Sequence, residues 1–119
     1  MKNTTFVGNN AEALACKYLV DIGYRIVQRN YKDRFCEIDI IASNKTTLVF
    51  VEVKYRRRSD FGGAVGAITP DKFRRMQLSA EYWLSQNQEL ARQQPRLDVI
   101  TVSGDINNPE IDHLQNVEI

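Results

Sequence analysis

Two short segments that alternate apolar and charged residues constrain this chain more than any other feature. One is Phe50-Val-Glu-Val-Lys54 and the other is Cys36-Glu-Ile-Asp-Ile-Ile41. Successive side chains of a β-strand point to opposite faces, so each segment predicts a strand with charges on one face and apolar residues on the other. Three carboxylates and one ammonium group on largely apolar strands cost free energy to bury. The two segments therefore indicate a functional site rather than ordinary sheet surface.

The rest of the chain predicts an α/β fold with the order α-β-β-β-α-β and a weak final strand. We expect a helix from Asn9 or Asn10 to Ile22 and another from Thr69, where Thr-Pro-Asp is a strong helix start. Strands are expected over residues 24–31, 36–42, 48–56, 96–102 and, weakly, 110–114. Because no repeat or linker interrupts this order, residues 1–119 are expected to form a single domain.

Composition and charge favour a cytoplasmic protein that can meet a polyanion. Residues 1–88 carry 14 Lys and Arg against nine Asp and Glu, whereas residues 89–119 carry two against six. The first part could contact nucleic acid and the acidic tail could not. The two cysteines lack zinc-site spacing, and neither a signal peptide nor an apolar run of membrane-spanning length is visible, so no membrane partner is expected.

A short connection between the two strands predicts how their charges meet. If Lys45 and Thr46 form a two-residue turn, Asp39 lies opposite Glu52 and their Cβ atoms are about 5 Å apart. Two facing carboxylates repel each other unless a cation bridges them. An all-oxygen pair with room for water suits Mg²⁺, or Mn²⁺ in its place, and such an ion can activate water. We therefore expect Asp39 and Glu52 to be catalytic metal ligands.

The same register places Glu37 opposite Lys54, so that all four charged residues share one face. Lys54 would orient the attacking water or hold the scissile phosphate, and Glu37 would support it. The alternative is a simple cross-strand ion pair on a solvated face. The coherent register of both segments favours a site over that alternative.

Several cations outside these strands are candidates for contacts with DNA phosphates, although a solvated surface would account for them as well. They are Arg56, Arg57, Arg58, Lys72 and Arg75. Two further residues attract attention in the C-terminal part. His113 is expected at the surface or on an edge strand, and Asp98 either faces the second helix or pairs with arginines.

An ordered set of motifs extends over nearly the whole chain. The motifs are Gly8-Asn-Asn-Ala-Glu12, Arg29-Asn30-Tyr31, Glu37-Ile-Asp39, Phe50–Arg58, Phe61-Gly62-Gly63, Thr69-Pro70-Asp-Lys72 and Arg96-Leu-Asp98-Val. With these motifs the chain resembles the YraN-type bacterial proteins, which are assigned to the PD-(D/E)XK nuclease-like superfamily near the Holliday-junction-resolvase type. The resemblance implies a restriction-endonuclease-like αβββαβ core with a central mixed sheet flanked by helices.

The resemblance also implies residue roles. Asp39 matches the aspartate of the motif, and Glu52 and Lys54 match its E-x-K element. Glu12 matches a glutamate of the first helix that joins the metal site in resolvase-like members, whereas from the residues alone it is equally a first-turn acid that complements the helix dipole. Cys36 stands where the family usually has glycine.

Two functions from different classes remain open at this point. The first is a metal-dependent endonuclease that acts on DNA, including branched or structured DNA. The second is a non-catalytic nucleic-acid-binding or assembly protein that retains the nuclease fold. A chain of this size covers little DNA alone, so a homodimer fits either function.

Overall fold

The computed structural model describes residues 4–57, 64 and 66–117, with side chains from Asn10 onward. These residues form two α-helices, one 3-10 turn and five β-strands. The helices are α1 (Thr4–Asp21) and α2 (Pro70–Gln86), with the 3-10 turn at Leu90–Arg92. The strands are β1 (Arg25–Lys32), β2 (Glu37–Ser43), β3 (Thr47–Arg56), β4 (Gln94–Ser103) and β5 (Glu110–Leu114).

The five strands form one mixed sheet in the order β1-β2-β3-β4-β5. Only β3 and β4 are parallel, and a parallel pair requires a crossover, which contains α2. Helix α1 packs on one face, against Val49, Val51 and Ile100. Helix α2 packs on the other face, where Trp83 contacts Phe50. The expected mixed sheet flanked by helices is therefore confirmed.

The start of α2 and the end of α1 follow the sequence signals, whereas the start of α1 does not. Thr69 caps α2, and its hydroxyl accepts a hydrogen bond from the backbone N–H of Lys72. Gly23 follows α1 with φ +104°, a conformation that glycine adopts without strain. The start of α1 was predicted wrongly, because asparagine is tolerated inside helices as well as at caps. No helix within the described residues is long and apolar enough to cross a bilayer.

The turn between β2 and β3 has the predicted form. The backbone N–H of Asn44 donates to the carbonyl oxygen of Thr47 at 3.0 Å, which encloses the two expected turn residues. Ile41 pairs with Phe50, as the predicted register requires. The ladder between these strands ends at Ile40 and Val51, one pair before Asp39.

The sheet is irregular on both sides of Asp39. On β1, Asn30 has φ +54° and lies between residues that pair with Ile38 and Ile40. On β2, Ile38 packs on the α2 side together with Ile41, whereas Ile40 packs on the α1 side. Strict alternation would put Ile38 and Ile40 on the same side. The backbone therefore departs from regular pleating at Asp39, which changes where its carboxyl group points.

Candidate active site

Asp39 and Glu52 bring their carboxyl groups together at the point where β2 leaves β3. One oxygen of Asp39 accepts a hydrogen bond from the backbone N–H of Val53 at 2.8 Å. This side-chain bond takes the place of the next rung of the ladder between the strands. The Asp39 carboxyl group also lies close enough to Glu52, which is only 5% exposed, for Glu52 to raise its pKa. The two acids therefore lie together as predicted, although the ladder between their strands ends one pair earlier.

The pair holds a proton near neutral pH. Burial, the hydrogen bond to Glu52 and the negative charges of Glu52 and Glu12 raise the pKa of Asp39 from 3.8 to about 7, against the opposing N–H of Val53. A hydrogen bond between two carboxyl groups requires one shared proton. Asp39 can therefore lose a proton within the physiological range, as a ligand for a cation must.

Two lysines from different elements meet the same oxygen of Glu52. Lys54, two residues further along β3, places its Nζ 3.5 Å from Oε2. Lys72, in the first turn of α2, places its Nζ 3.4 Å from the same atom. Burial alone would lower the pKa of Lys72, but Glu52 and the nearby Cys36 thiol raise it overall. Two cations thus contact one buried carboxylate, which leaves a net positive charge while Asp39 is protonated.

Glu12 lies on α1 close enough to Asp39 for its charge to raise the pKa of Asp39. Its Oε1 is buried and makes no hydrogen bond within the part of the chain that the structure describes. The guanidinium group of Arg29 lies 3.7 Å from this oxygen, which is too long for a hydrogen bond. A buried carboxylate oxygen without a hydrogen bond has unused capacity to coordinate a cation.

The donor set fits a hard divalent cation in part. Among the described residues, no three His, Cys, Asp or Glu side chains are grouped closely enough to hold an ion by themselves. Mg²⁺, however, is commonly bound by one or two carboxylates with water and substrate phosphate completing its shell. Asp39 and Glu52 supply two carboxylates, and Glu12 is a third acid nearby. The residues therefore fit Mg²⁺ or Mn²⁺ as a two-carboxylate site.

Glu37 does not meet Lys54 as the register predicted. It pairs with Lys32 on β1 at 3.5 Å, where both side chains are largely exposed. The reason is the end of pairing between β2 and β3 at Ile40, beyond which β2 remains bonded only to β1. Lys54 turns to Glu52 instead. The supporting role of Glu37 stays a prediction.

The comparison with known protein families identifies the family of this chain. The sequence model of the family described as "Uncharacterised protein family UPF0102" matches residues 11–102. The chain belongs to this family.

Relatives of the UPF0102 family align with most of the chain. A UPF0102 protein of Nitrosococcus oceani is 41% identical over 98 residues, covering 82% of this chain and 79% of the relative. A UPF0102 protein of Colwellia psychrerythraea is 40% identical over 118 residues, covering 97% and 92%. One from Mycolicibacterium gilvum is 40% identical over 114 residues, covering 93% and 92%. These matches confirm the resemblance to YraN-type proteins.

The UPF0102 match spans the candidate site from Glu12 to Lys72 and ends within β4. The family description names no activity, so interpretation of the site depends on its geometry. Of the cations predicted to contact DNA, Arg75 pairs with Asp71 on the surface at 3.1 Å, and Arg57 is exposed at the end of β3. Arg56 precedes it on β3, and Arg58 lies outside the described residues.

Asp98 and His113 belong to a buried network on the α1 side of the sheet. Both carboxylate oxygens of Asp98 accept hydrogen bonds from Arg96 at 2.9 Å, and His113 Nε2 lies 2.7 Å from Oδ2. His113 Nδ1 is 2.9 Å from the hydroxyl of Tyr18 on α1. Pairing with arginine is the second of the two roles considered for Asp98. His113 is on the expected edge strand, but it is buried and bonded.

The sequence predicted that Lys72 contacts phosphates, but it did not predict that Lys72 lies beside the carboxyl groups of Asp39 and Glu52. A signal for this position did exist, since a cation in the first turn of a helix opposes the helix dipole and needs a nearby anion.

The hydrogen bonds of Asp33 were also not predicted. Its carboxylate accepts hydrogen bonds from Tyr31 Oη and Ser79 Oγ and from two backbone N–H groups. Aspartate in a short loop often makes such bonds, but their helix partner is not visible in the sequence.

Proposed function

We propose that this UPF0102 protein is a metal-dependent endonuclease that acts on DNA, including branched or structured DNA. The observation that carries the proposal is the Asp39–Glu52 carboxyl pair with two lysines beside it. Glu52 is buried and Asp39 and Lys72 are partly buried, and desolvating such groups costs free energy unless they perform a task. Perturbed carboxyl groups of this kind are common at catalytic sites.

The charges of the cluster suit a phosphodiester substrate. While Asp39 keeps its proton, Glu52 and the two lysines sum to a single positive charge. Loss of the proton in favour of a divalent cation would make the cluster more positive, which favours an anionic phosphate and the charge that develops on it. The ion, when bound, would supply Lewis-acid stabilisation and an activated water.

The protein side chains would hold the parts of this reaction in place. The N–H of Val53 fixes the carboxylate of Asp39 toward Glu52. Lys72, which is 23% exposed, fixes Glu52 from the helix side. Lys54 is 47% exposed, so its ammonium group can reach a phosphate or an attacking water without leaving the site. We assign Lys54 the contact with the reacting phosphate and Lys72 the positioning of Glu52.

One observation favours the second function, a nucleic-acid-binding or assembly protein without catalysis. The carboxylate of Glu52 is already neutralised by Lys54 and Lys72, and the shared proton satisfies Asp39. An ion is therefore not required to balance the buried charge. The two functions differ in one measurable property, which is cleavage of DNA in the presence of Mg²⁺ or Mn²⁺.

Single-turnover cleavage of labelled linear, flapped and four-way DNA tests the proposal. With Mg²⁺ or Mn²⁺ we expect cleavage of at least one substrate by the wild type. Glu52→Gln should abolish the product while DNA binding, measured in Ca²⁺, is retained. Lys54→Ala should retain binding and lose about 10²-fold or more in rate if Lys54 stabilises developing charge.

A matched control separates the site from general effects of charge. Asp21→Asn removes an exposed carboxylate on α1 whose partner among the described residues is Lys17, so this variant should cleave as the wild type does. Absence of cleavage by pure wild-type protein on every DNA would favour the binding or assembly function. Equal cleavage by Glu52→Gln and the wild type would show that the activity comes from elsewhere.

A further inference from the structure

We propose that a cleft between the β1–β2 connection and α2 binds an unpaired nucleobase together with its flanking phosphates. The cleft has a volume of about 470 Å³, within the range of small-molecule sites, and is lined by Tyr31–Phe35 and Tyr82. The inference deepens the proposed function and rests on it for the substrate class, because it specifies a nucleic acid with a base out of the stack.

Three aromatic rings converge on this cleft from two elements. Tyr31 and Phe35 flank the connection after β1, and Tyr82 comes from α2. Tyr82 is 45% exposed, although it is the largest side chain on the outward part of its helix. One exposed tyrosine needs no explanation, but three rings around one cleft form a surface on which a base can stack.

A rigid frame holds two of these rings. The carboxylate of Asp33 accepts hydrogen bonds from Tyr31 Oη at 2.8 Å, from Ser79 Oγ at 2.7 Å and from the backbone N–H of Phe35 at 2.8 Å. The connection is thereby tied to α2. Although burial raises the pKa of Asp33, these hydrogen bonds lower it overall, so Asp33 stays ionised and the contacts to phosphate are assigned to the cations Lys32 and Arg34 on either side of it. A site held in place before binding loses less entropy when the ligand arrives.

Two exposed cations stand beside the rings. The guanidinium carbon of Arg34 lies 4.9 Å from the centre of the Phe35 ring, so it can continue a stack or contact a phosphate. Lys32 pairs with Glu37 at 3.5 Å in an exposed position. Such surface pairs contribute little to stability, so a phosphate can replace Glu37 at low cost. Rings interleaved with cations are the combination that binds single strands.

Residues of the same helix, α2, contact both the cleft and the carboxyl pair. Near the start of α2, Lys72 interacts with Glu52 and with the Cys36 thiol, and two turns later Ser79 bonds Asp33. From Lys72 to Tyr82 the helix rises about 15 Å. That distance corresponds to roughly four base steps along one strand at 3.4 Å each. A strand held at the carboxyl pair can therefore reach the cleft.

Binding of short oligonucleotides in EDTA tests the cleft independently of cleavage. The probe is single-stranded DNA that contains 2-aminopurine, whose fluorescence falls when it stacks, beside a blunt duplex and an RNA strand of the same sequence. We expect single strands to bind better than the duplex, with quenching. Tyr82→Ala should weaken single-strand binding by about 5- to 150-fold, the usual effect of removing one stacking ring.

Two variants make the result specific. Tyr82→Phe keeps the ring and should retain binding, whereas Val20→Ala truncates an exposed side chain on α1, across the sheet, and should change nothing. Unaltered binding by Tyr82→Ala, or no preference for single strands, would overturn the inference. If Tyr82→Ala binds single strands more weakly than the wild type and the wild type cuts no DNA, the cleft stands and the nuclease function is refuted. If the wild type cuts DNA and Tyr82→Ala binds single strands as well as the wild type does, the nuclease function stands and the cleft is refuted. The RNA arm shows whether the sugar matters.

Discussion

Replacing Asp39 by asparagine should make the folded protein more stable above neutral pH. The pKa of Asp39 is 3.8 ordinarily and about 7 in the folded protein. The folded state therefore holds a proton that the unfolded chain has lost. Its contribution to stability is complete below pH 3.8 and is lost as pH rises through 7. Asparagine cannot ionise, so the Asp39→Asn variant does not lose this stability as pH rises.

The size of the effect follows from the displacement of the pKa. At about 1.4 kcal/mol for each tenfold change in proton affinity, the shift corresponds to at most about 4 kcal/mol above pH 8. Asparagine can still accept the N–H of Val53 and donate to Glu52, so the geometry of the pair is retained. For a chain of this length, each kcal/mol moves the melting temperature by roughly 4 °C.

Thermal and urea unfolding of both proteins in EDTA between pH 5 and pH 9 measures this difference. We expect the advantage of Asp39→Asn to be about a third of its full size at pH 5, to grow up to about pH 7 and to level off above pH 8. Asp21→Asn, which alters an exposed carboxylate, should run parallel to the wild type at every pH. Parallel curves for Asp39→Asn and the wild type would show that Asp39 is not an ionising member of a buried pair.

Three other outcomes are expected. Millimolar Mg²⁺ or Mn²⁺ should raise the melting temperature of the wild type but not of Asp39→Asn. At an ion concentration ten times the dissociation constant, the free energy of unfolding should rise by about 1.4 kcal/mol, and equal shifts in both proteins would place the ion elsewhere. Asp98→Asn should lower the free energy of unfolding by about 3 kcal/mol or more, since it leaves the partly buried Arg96 without its fully buried counter-charge, and urea titration would expose a smaller effect. Joint alanine substitution of Arg57 and Arg58 should weaken DNA binding and reduce its salt slope by about two; an unchanged slope in fluorescence anisotropy would remove both from the interface.

The fold was largely predictable because its signals are local. Alternation over β2 and β3, the two-residue turn between them and the cap at Thr69 each depend on a few adjacent residues. Those signals also identified Asp39 and Glu52 as neighbours. The start of α1 was less predictable, since its first turns lie before the asparagines that resemble caps.

The details of the site depend on contacts that no short segment encodes. Lys72 reaches Glu52 only because the crossover brings α2 back over β3. The side-chain bond from Asp39 to Val53 exists because pairing between β2 and β3 stops one residue earlier than regular register implies. Glu37 lost its predicted partner for the same reason. Backbone irregularity of this kind is common beside functional sites and is invisible to a period-two pattern.

The irregular outer strand β1 has a consequence for how copies of the chain can associate. Its exposed residues include Arg25 and Arg29, whereas β5, the other border of the sheet, exposes Glu110 and Asp112. Opposite charges on the two borders would draw one molecule's β1 toward another's β5, and such head-to-tail joining continues without limit. β1 is a poor template for a further strand, because the backbone at Asn30 is left-handed and the pairing shifts after Ile26. This irregularity of β1 therefore opposes open-ended polymers that would form by pairing of β1 with β5.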